Sequence, residues 1–101
     1  MRRIARTPQF ERDLKKCVNR HWEIEAFKDA VCALAQADEM PLDAAFKDHV
    51  LEGKWAGKRA IHVRSRKQPP HDKWVIVYEV LDGDEVLLVR TGDHSVYGAV
   101  S

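Results

Sequence analysis

Four histidines (His49, His62, His71 and His94) and one neighbouring carboxylate, Asp72, are the side chains in this sequence best suited to moving protons. An imidazole with an unperturbed pKa of ~6.5 is present in both its forms near neutral pH, so one histidine can take a proton while another gives one up. A basic stretch runs through the same part of the chain. From Lys54 to Lys67 there are six cations (Lys54, Lys58, Arg59, Arg64, Arg66 and Lys67) and no aspartate or glutamate, and Arg2, Arg3 and Arg6 form a second cluster. Such a run is commonly a solvated strand face and loop; a phosphate-binding surface is the sharper reading. Cleavage of RNA without a metal uses the 2'-hydroxyl as an internal nucleophile on the adjacent phosphorus. A base removes the hydroxyl proton, an acid protonates the departing 5'-oxygen, and a cation balances charge on the phosphate oxygens. Lys54, Arg59 and Arg90 are the candidate phosphate contacts. Packing is the plain role for Trp22, Trp55 and Trp74, but an exposed aromatic such as Trp74 could stack on a base.

Other chemistries find less support. The histidine spacings match no compact zinc pattern, and no carboxylate–histidine helix motif occurs, so no metal is expected. Asp82, Asp84 and Asp93 lack the register of a calcium loop and read as turn formers. Gly53, Gly57 and Gly92 form neither a dinucleotide nor a phosphate-loop pattern, and no cofactor is expected. Cys17 and Cys32 lie in helical apolar patterns without metal or redox spacing and read as two buried thiols, with a disulfide left open.

Positioning these groups falls to a short list of elements. Residues 1–5 read as a short strand. Thr7-Pro8 reads as an N-cap with proline at the first helical position, followed by Phe10, Leu14, Cys17 and Val18 at helical spacing. Arg12, Asp13, Lys15 and Lys16 fill the opposite face. A second helix runs over 22–37, with Ile24, Phe27, Val31, Leu34 and Ala35 as its buried stripe, and stops before Pro41. Residues 41–49 read as a loop with one irregular turn. Leu51–Trp55 is a short strand candidate. Arg59–Arg64 alternates, with Ile61 and Val63 on one face and Ala60, His62 and Arg64 on the other. Gln68-Pro69-Pro70 interrupts. Trp74–Leu81 and Glu85–Arg90 form a hairpin about Asp82-Gly83-Asp84. The expectation is an α+β domain with two N-terminal helices packed on a small antiparallel sheet of three to five strands.

With 101 residues, 45% of them hydrophobic and 33% charged, the chain reads as one globular domain over 1–101. No apolar run approaches the roughly 20 residues needed to span a bilayer. The start, Met1-Arg2-Arg3-Ile4, has no apolar segment behind its charges, so a cytoplasmic protein without a membrane partner is expected. The net charge of +1 says little about nucleic acid; its distribution says more.

Several segments, taken in order, resemble one family: Phe10-Glu11-Arg12-Asp13-Leu14-Lys15-Lys16, Phe46-Lys47-Asp48-His49, Leu51-Glu52-Gly53-Lys54-Trp55-Ala56-Gly57, Arg59-Ala60-Ile61-His62-Val63, the strand ending in Tyr78, and Arg90-Thr91-Gly92-Asp93-His94-Ser95. The set is similar to the YafQ branch of the RelE-type toxins and spans nearly the whole chain. The resemblance implies a ribosome-associated messenger RNA endonuclease, held inactive by a cognate antitoxin in a toxin–antitoxin hetero-oligomer. It also implies an active site lined by the matches of His49, His62 and His94, with an acidic residue before the third main strand, for which Asp72 is the natural match. On that reading His94 is the general acid, Asp72 or His62 the base, and His49 positions substrate or shares proton transfer. The chain departs from the family in the longer Arg64–His71 segment, in Lys73 between Asp72 and Trp74, and in Tyr97, which stands one position earlier than the family's C-terminal aromatic. In an extended strand one extra residue swaps faces, so His71 stands as a substitute for Asp72. Tyr97 is the remaining candidate for substrate contact.

Two other hypotheses accompany the nuclease. The altered 64–74 segment suggests a module of the same fold that binds antitoxin or ribosome with weak or lost cleavage. The basic 54–67 run alone suggests a general RNA-binding domain, although no recognised RNA-binding motif accompanies it.

Overall fold

The structure, a computed structural model, describes residues 1–66, 73–82 and 84–98, with the side chain of Tyr97 aside. The chain begins with β1 (Arg3–Arg6) and passes directly into α1 (Pro8–Asn19). The Thr7 cap makes that junction. Its Oγ1 accepts the Phe10 N–H at 2.9 Å and donates to the Val89 carbonyl at 2.9 Å, while Pro8 occupies a position that needs no donor. After α2 (Ile24–Ala35) the expected irregular turn is a single 3-10 turn at Ala44–Phe46, started by the Asp43 carboxylate on the Ala45 N–H. Four further strands follow: β2 (His49–Val50), β3 (Arg59–His62), β4 (Val75–Leu81) and β5 (Glu85–Gly92), with α3 (Ser95–Gly98) after them.

Among the described residues the strands form one sheet in the order β1-β5-β4-β3-β2, with α1 laid along β5. The sheet is mixed, not wholly antiparallel, because β1 runs parallel to β5 (Arg3 opposite Glu85, Arg6 opposite Leu88). The Thr7 N–H on the Leu88 carbonyl and its hydroxyl on Val89 send the chain off β1 in the direction of β5, which fixes that sense. The strand expected over Leu51–Trp55 is instead a second 3-10 turn at Gly53–Trp55, and the pairing falls two residues earlier, at His49–Val50. Gln68-Pro69-Pro70 and Gly83 lie outside the described residues. Asp82 adopts φ 51°, as the expected hairpin turn requires.

The alternation read in Arg59–Arg64 holds. Ile61 and Val63 join Trp74, Ile76, Tyr78, Val86 and Leu88 in the core beneath Phe10, Cys17, Phe27 and Leu34. Each large apolar side chain fully buried here contributes roughly 1.5–3 kcal/mol. Cys32 corrects the expectation of two buried thiols, for it is exposed. The buried side of α2 runs through Ala26, Phe27, Ala30 and Leu34, and position 32 is two residues round the helix from its middle. Burial pushes the Cys17 thiol up to about 11, which makes it a packing group rather than a nucleophile. No helix among the described residues is long and apolar enough to cross a membrane.

Candidate active site

Strand register places the histidines. His49 is paired with Ala60, and Ala60 and His62 are two apart on β3, so both imidazoles leave the sheet on the face opposite the helices. His62 is opposite Val75, which in turn is opposite Gly92, so the line continues across β4 to the end of β5. His94 follows two residues later. The three rings form a row, with centroids 5.9 Å apart from His49 to His62 and 5.3 Å from His62 to His94. Val75 and Val77 on the same face are fully buried, which gives the row an apolar floor. His49 and His62 are half-buried and His94 is exposed, so a substrate can reach the row from one end.

Local backbone geometry aims the outer two rings. At the end of the Ala44–Phe46 turn Lys47 takes a left-handed φ of 53°, and its carbonyl oxygen lies 2.8 Å from His49 Nδ1. A carbonyl only accepts, so Nδ1 carries the proton and, in the neutral ring, Nε2 keeps its lone pair. At the other end Gly92 has φ 147°, a conformation that side chains rarely adopt, and a Cβ there would stand 2.9 Å from Val96 Cγ1. Asp93 then caps α3, taking both the N–H and the hydroxyl of Ser95 on Oδ1. Those bonds, with the charges of Arg20 and His94, hold the Asp93 carboxyl below the usual carboxylate range despite partial burial.

One expected substrate contact is corrected, that of Trp74, and two more, Arg59 and Arg90, are engaged by carboxylates of the protein itself. Trp74 is fully buried: its ring stacks on Phe27 at 5.4 Å, meets Trp22 edge-on at 5.2 Å, and donates Nε1–H to Thr91 Oγ1 at 2.8 Å. No face is left for a base. Arg59 shares the helix-side face with Ile61, away from the histidines, and forks onto Asp48 at 2.8–3.2 Å. Tyr78 donates its hydroxyl to the same carboxylate at 2.6 Å, and burial together with that bond pushes its pKa up, so the phenol stays protonated. Arg90 is likewise taken, by Asp13 at 2.8 and 3.1 Å. Lys54 is exposed in the Gly53–Trp55 turn. Tyr97 falls in α3, while Asp72 and His71 lie outside the described residues.

Asp13 is the residue that sequence reasoning misplaced. Read as part of the solvated face of α1, it is only 4% exposed and accepts from Arg90, from Gln9 Nε2 at 2.9 Å and from the Thr91 N–H at 3.2 Å. Beyond Leu88, β1 no longer covers the edge of β5, and Asp13 supplies the acceptor that this strand edge would otherwise lack. Its position, three after Phe10 and four before Cys17, was the available signal: a carboxylate on the apolar stripe implies a buried partner. Among the described residues no three His, Cys, Asp or Glu side chains are disposed to hold a metal ion. The row brings together three imidazoles, side chains that can each hold or release a proton near neutral pH.

A fold of this order with a histidine row across the open sheet face can be compared with known proteins. The family of the bacterial toxin of type II toxin–antitoxin systems, YafQ, matches residues 2–97. The chain belongs to this family. The mRNA interferase toxin YafQ of Escherichia coli K12 is 31% identical over 94 residues, covering 93% of this chain and 92% of the relative. The E. coli DinJ–YafQ toxin–antitoxin complex matches with a TM-score of 0.75 at 32% identity, covering 94% of each chain. A metal-bound toxin from Helicobacter pylori matches with a TM-score of 0.76 at 30% identity, over 95% of this chain and 98% of that one.

Proposed function

We propose that this toxin is an endoribonuclease that cuts messenger RNA on the ribosome by metal-independent acid–base catalysis, in the cytoplasm, and that a cognate antitoxin restrains it in a hetero-oligomer. The row of His49, His62 and His94 on one face is the observation that supports this reading, together with relatives named mRNA interferase toxins. His94, exposed at the end of the row, is the acid that protonates the departing 5'-oxygen. His62, whose ring is 5.3 Å from that of His94, is the base for the 2'-hydroxyl. His49 presents its Nε2 lone pair and orients that hydroxyl. Lys54 is the candidate cation for the phosphate, and Tyr97, three residues after His94 in the chain, is the candidate aromatic that meets a base. Asp72 and His71 carry the second assignment of the base. An antitoxin partner follows from the DinJ–YafQ complex of the E. coli relative.

The test is inducible expression of wild type and His94→Ala without antitoxin, following growth and transcript 5' ends together at matched protein levels. Arrest with discrete new ends in the wild type alone is expected. Equal arrest and equal cutting by His94→Ala would remove His94 from the mechanism. Arrest without cut transcripts would select the binding-module alternative.

A further inference from the structure

Beside the histidine row lies a second feature, a cleft of about 140 Å³ between α1 and the end of β5. Lys16 and Arg20 stand on its helix side, and Arg90, Thr91, Gly92 and Asp93 on its strand side. Lys16 and Arg20 are four apart, so they project from the same side of α1 one turn after the other. They flank the buried Asp13–Cys17 stripe and face the end of β5, two residues before His94. Arg12 and Lys15, both exposed, continue the basic stripe along the helix.

The charges in this cleft are unequally used. Asp13 is saturated by Arg90, Gln9 and the Thr91 N–H. Asp93 spends Oδ1 on Ser95, and its Oδ2 stands 4.0 Å from Arg20 Nη1. Arg20 also lies over the Trp22 ring, at 5.6 Å from its centroid. Lys16 has no ion pair among the described residues. Both cations are exposed, and Arg20 reaches the residue immediately before His94. A strand that presents its scissile phosphate to His94 carries the same charge one nucleotide on. The cationic wall of this cleft is where that next charge meets a counterion.

We propose that the α1–β5 cleft is a subsite for a backbone phosphate flanking the scissile one, with Lys16 and Arg20 as its ligands. The inference rests on the nuclease reading and supplies its strand path: from the His49 end of the row, past His94, onto α1. It accounts for binding of a long anion by a chain whose net charge is only +1, because the positive charge is concentrated along the path.

The experiment uses a single-stranded RNA oligonucleotide made uncleavable by 2'-O-methylation, with binding followed by fluorescence anisotropy across a salt series. Wild type, His94→Ala and the double variant Lys16→Gln/Arg20→Gln are compared, with circular dichroism as the check on folding. The double variant is expected to bind about tenfold more weakly, with a salt slope smaller by about 0.7, given about 0.7 per phosphate on a single strand. The wild type's advantage then shrinks roughly two- to threefold between about 50 and about 200 mM salt. A neutral methylphosphonate at one flanking linkage should weaken the wild type and leave the folded double variant unchanged. Equal affinity and slope for wild type and double variant, no measurable binding by the wild type, or no linkage whose neutralisation distinguishes the two proteins would overturn the subsite. Failure of the nuclease reading is seen separately, as transcript cutting unaffected by His94→Ala.

Discussion

Replacing Asp13 by alanine removes one small side chain and leaves several groups to find new partners. The Thr91 N–H is buried and loses its acceptor; an unsatisfied buried donor costs about 1–3 kcal/mol. Arg90 loses both hydrogen bonds, but its side chain is 30% exposed and water takes up much of that loss. Gln9 is at the surface end of the set and contributes little. The sum is about 3 kcal/mol, in the range for breaking a buried pair by removing one partner. With a urea m-value of about 1.5 kcal/mol/M, the unfolding midpoint falls by about 2 M. Arg90→Ala made in the Asp13→Ala background should add less than about 1 kcal/mol, since the partner is already gone. The pair also sets an acid limit. Burial raises the Asp13 carboxyl, but the bonds from Arg90, Gln9 and Thr91 outweigh it and the pKa is lowered overall. A group depressed in the folded state stabilises above its ordinary pKa, and that stability is lost as pH falls through the lower, folded value. Wild type therefore loses stability more steeply below about pH 4 than Asp13→Asn does. Urea titrations over a pH series read both effects. A midpoint shift under about 0.3 M for Asp13→Ala, or parallel acid profiles for wild type and Asp13→Asn, would refute the account of this network.

Gly92→Ala combines a φ of 147° with a Cβ 2.9 Å from Val96 Cγ1, for a cost of about 1–3 kcal/mol and a displaced His94. Thermal melting and transcript cutting should both fall, and adding Val96→Ala should recover part of the stability but not all. Arg59→Ala should leave transcript cutting intact while lowering stability by about 1 kcal/mol, because its ion pair is half-exposed and lies on the helix side of the sheet; loss of cutting at unchanged stability would put Arg59 back at the substrate.

What the sequence made legible was what depends on period and order. Ile61 and Val63 against Ala60 and His62 fixed the two faces of β3, and with them the side on which a histidine row had to lie. The two helices and the β4–β5 hairpin followed from apolar spacing and turn residues. The roles of the cations did not follow, because a charge run names neither face nor partner. Arg59 differs from His62 by an odd number of residues, which already assigned it to the other face once β3 was taken as extended. Its engagement by Asp48 and Tyr78 needed the loop at Ala44–Phe46 to be folded in space. Trp74 opened an apolar strand, and only its contacts with Phe27 and Thr91 show that it is enclosed from every side. The direction of β1 was beyond reach, since four residues that fit a strand do not say which edge they join.

That first strand has a kinetic consequence. Thr7 and Val89 are 82 positions apart in the chain and share a hydrogen bond, and every pairing of β1 is with β5. During synthesis α1 can form as a local helix, but its apolar side and the strand before it have no sheet to rest on until β5 has left the exit tunnel. Long-range pairings of this kind are late and slow, because a long loop must close before any contact compensates for it. The α1 end of the sheet and the tail bearing His94 therefore settle in the same late step. The N-terminal end of the chain therefore waits for its partner strand while the rest of the sheet is made.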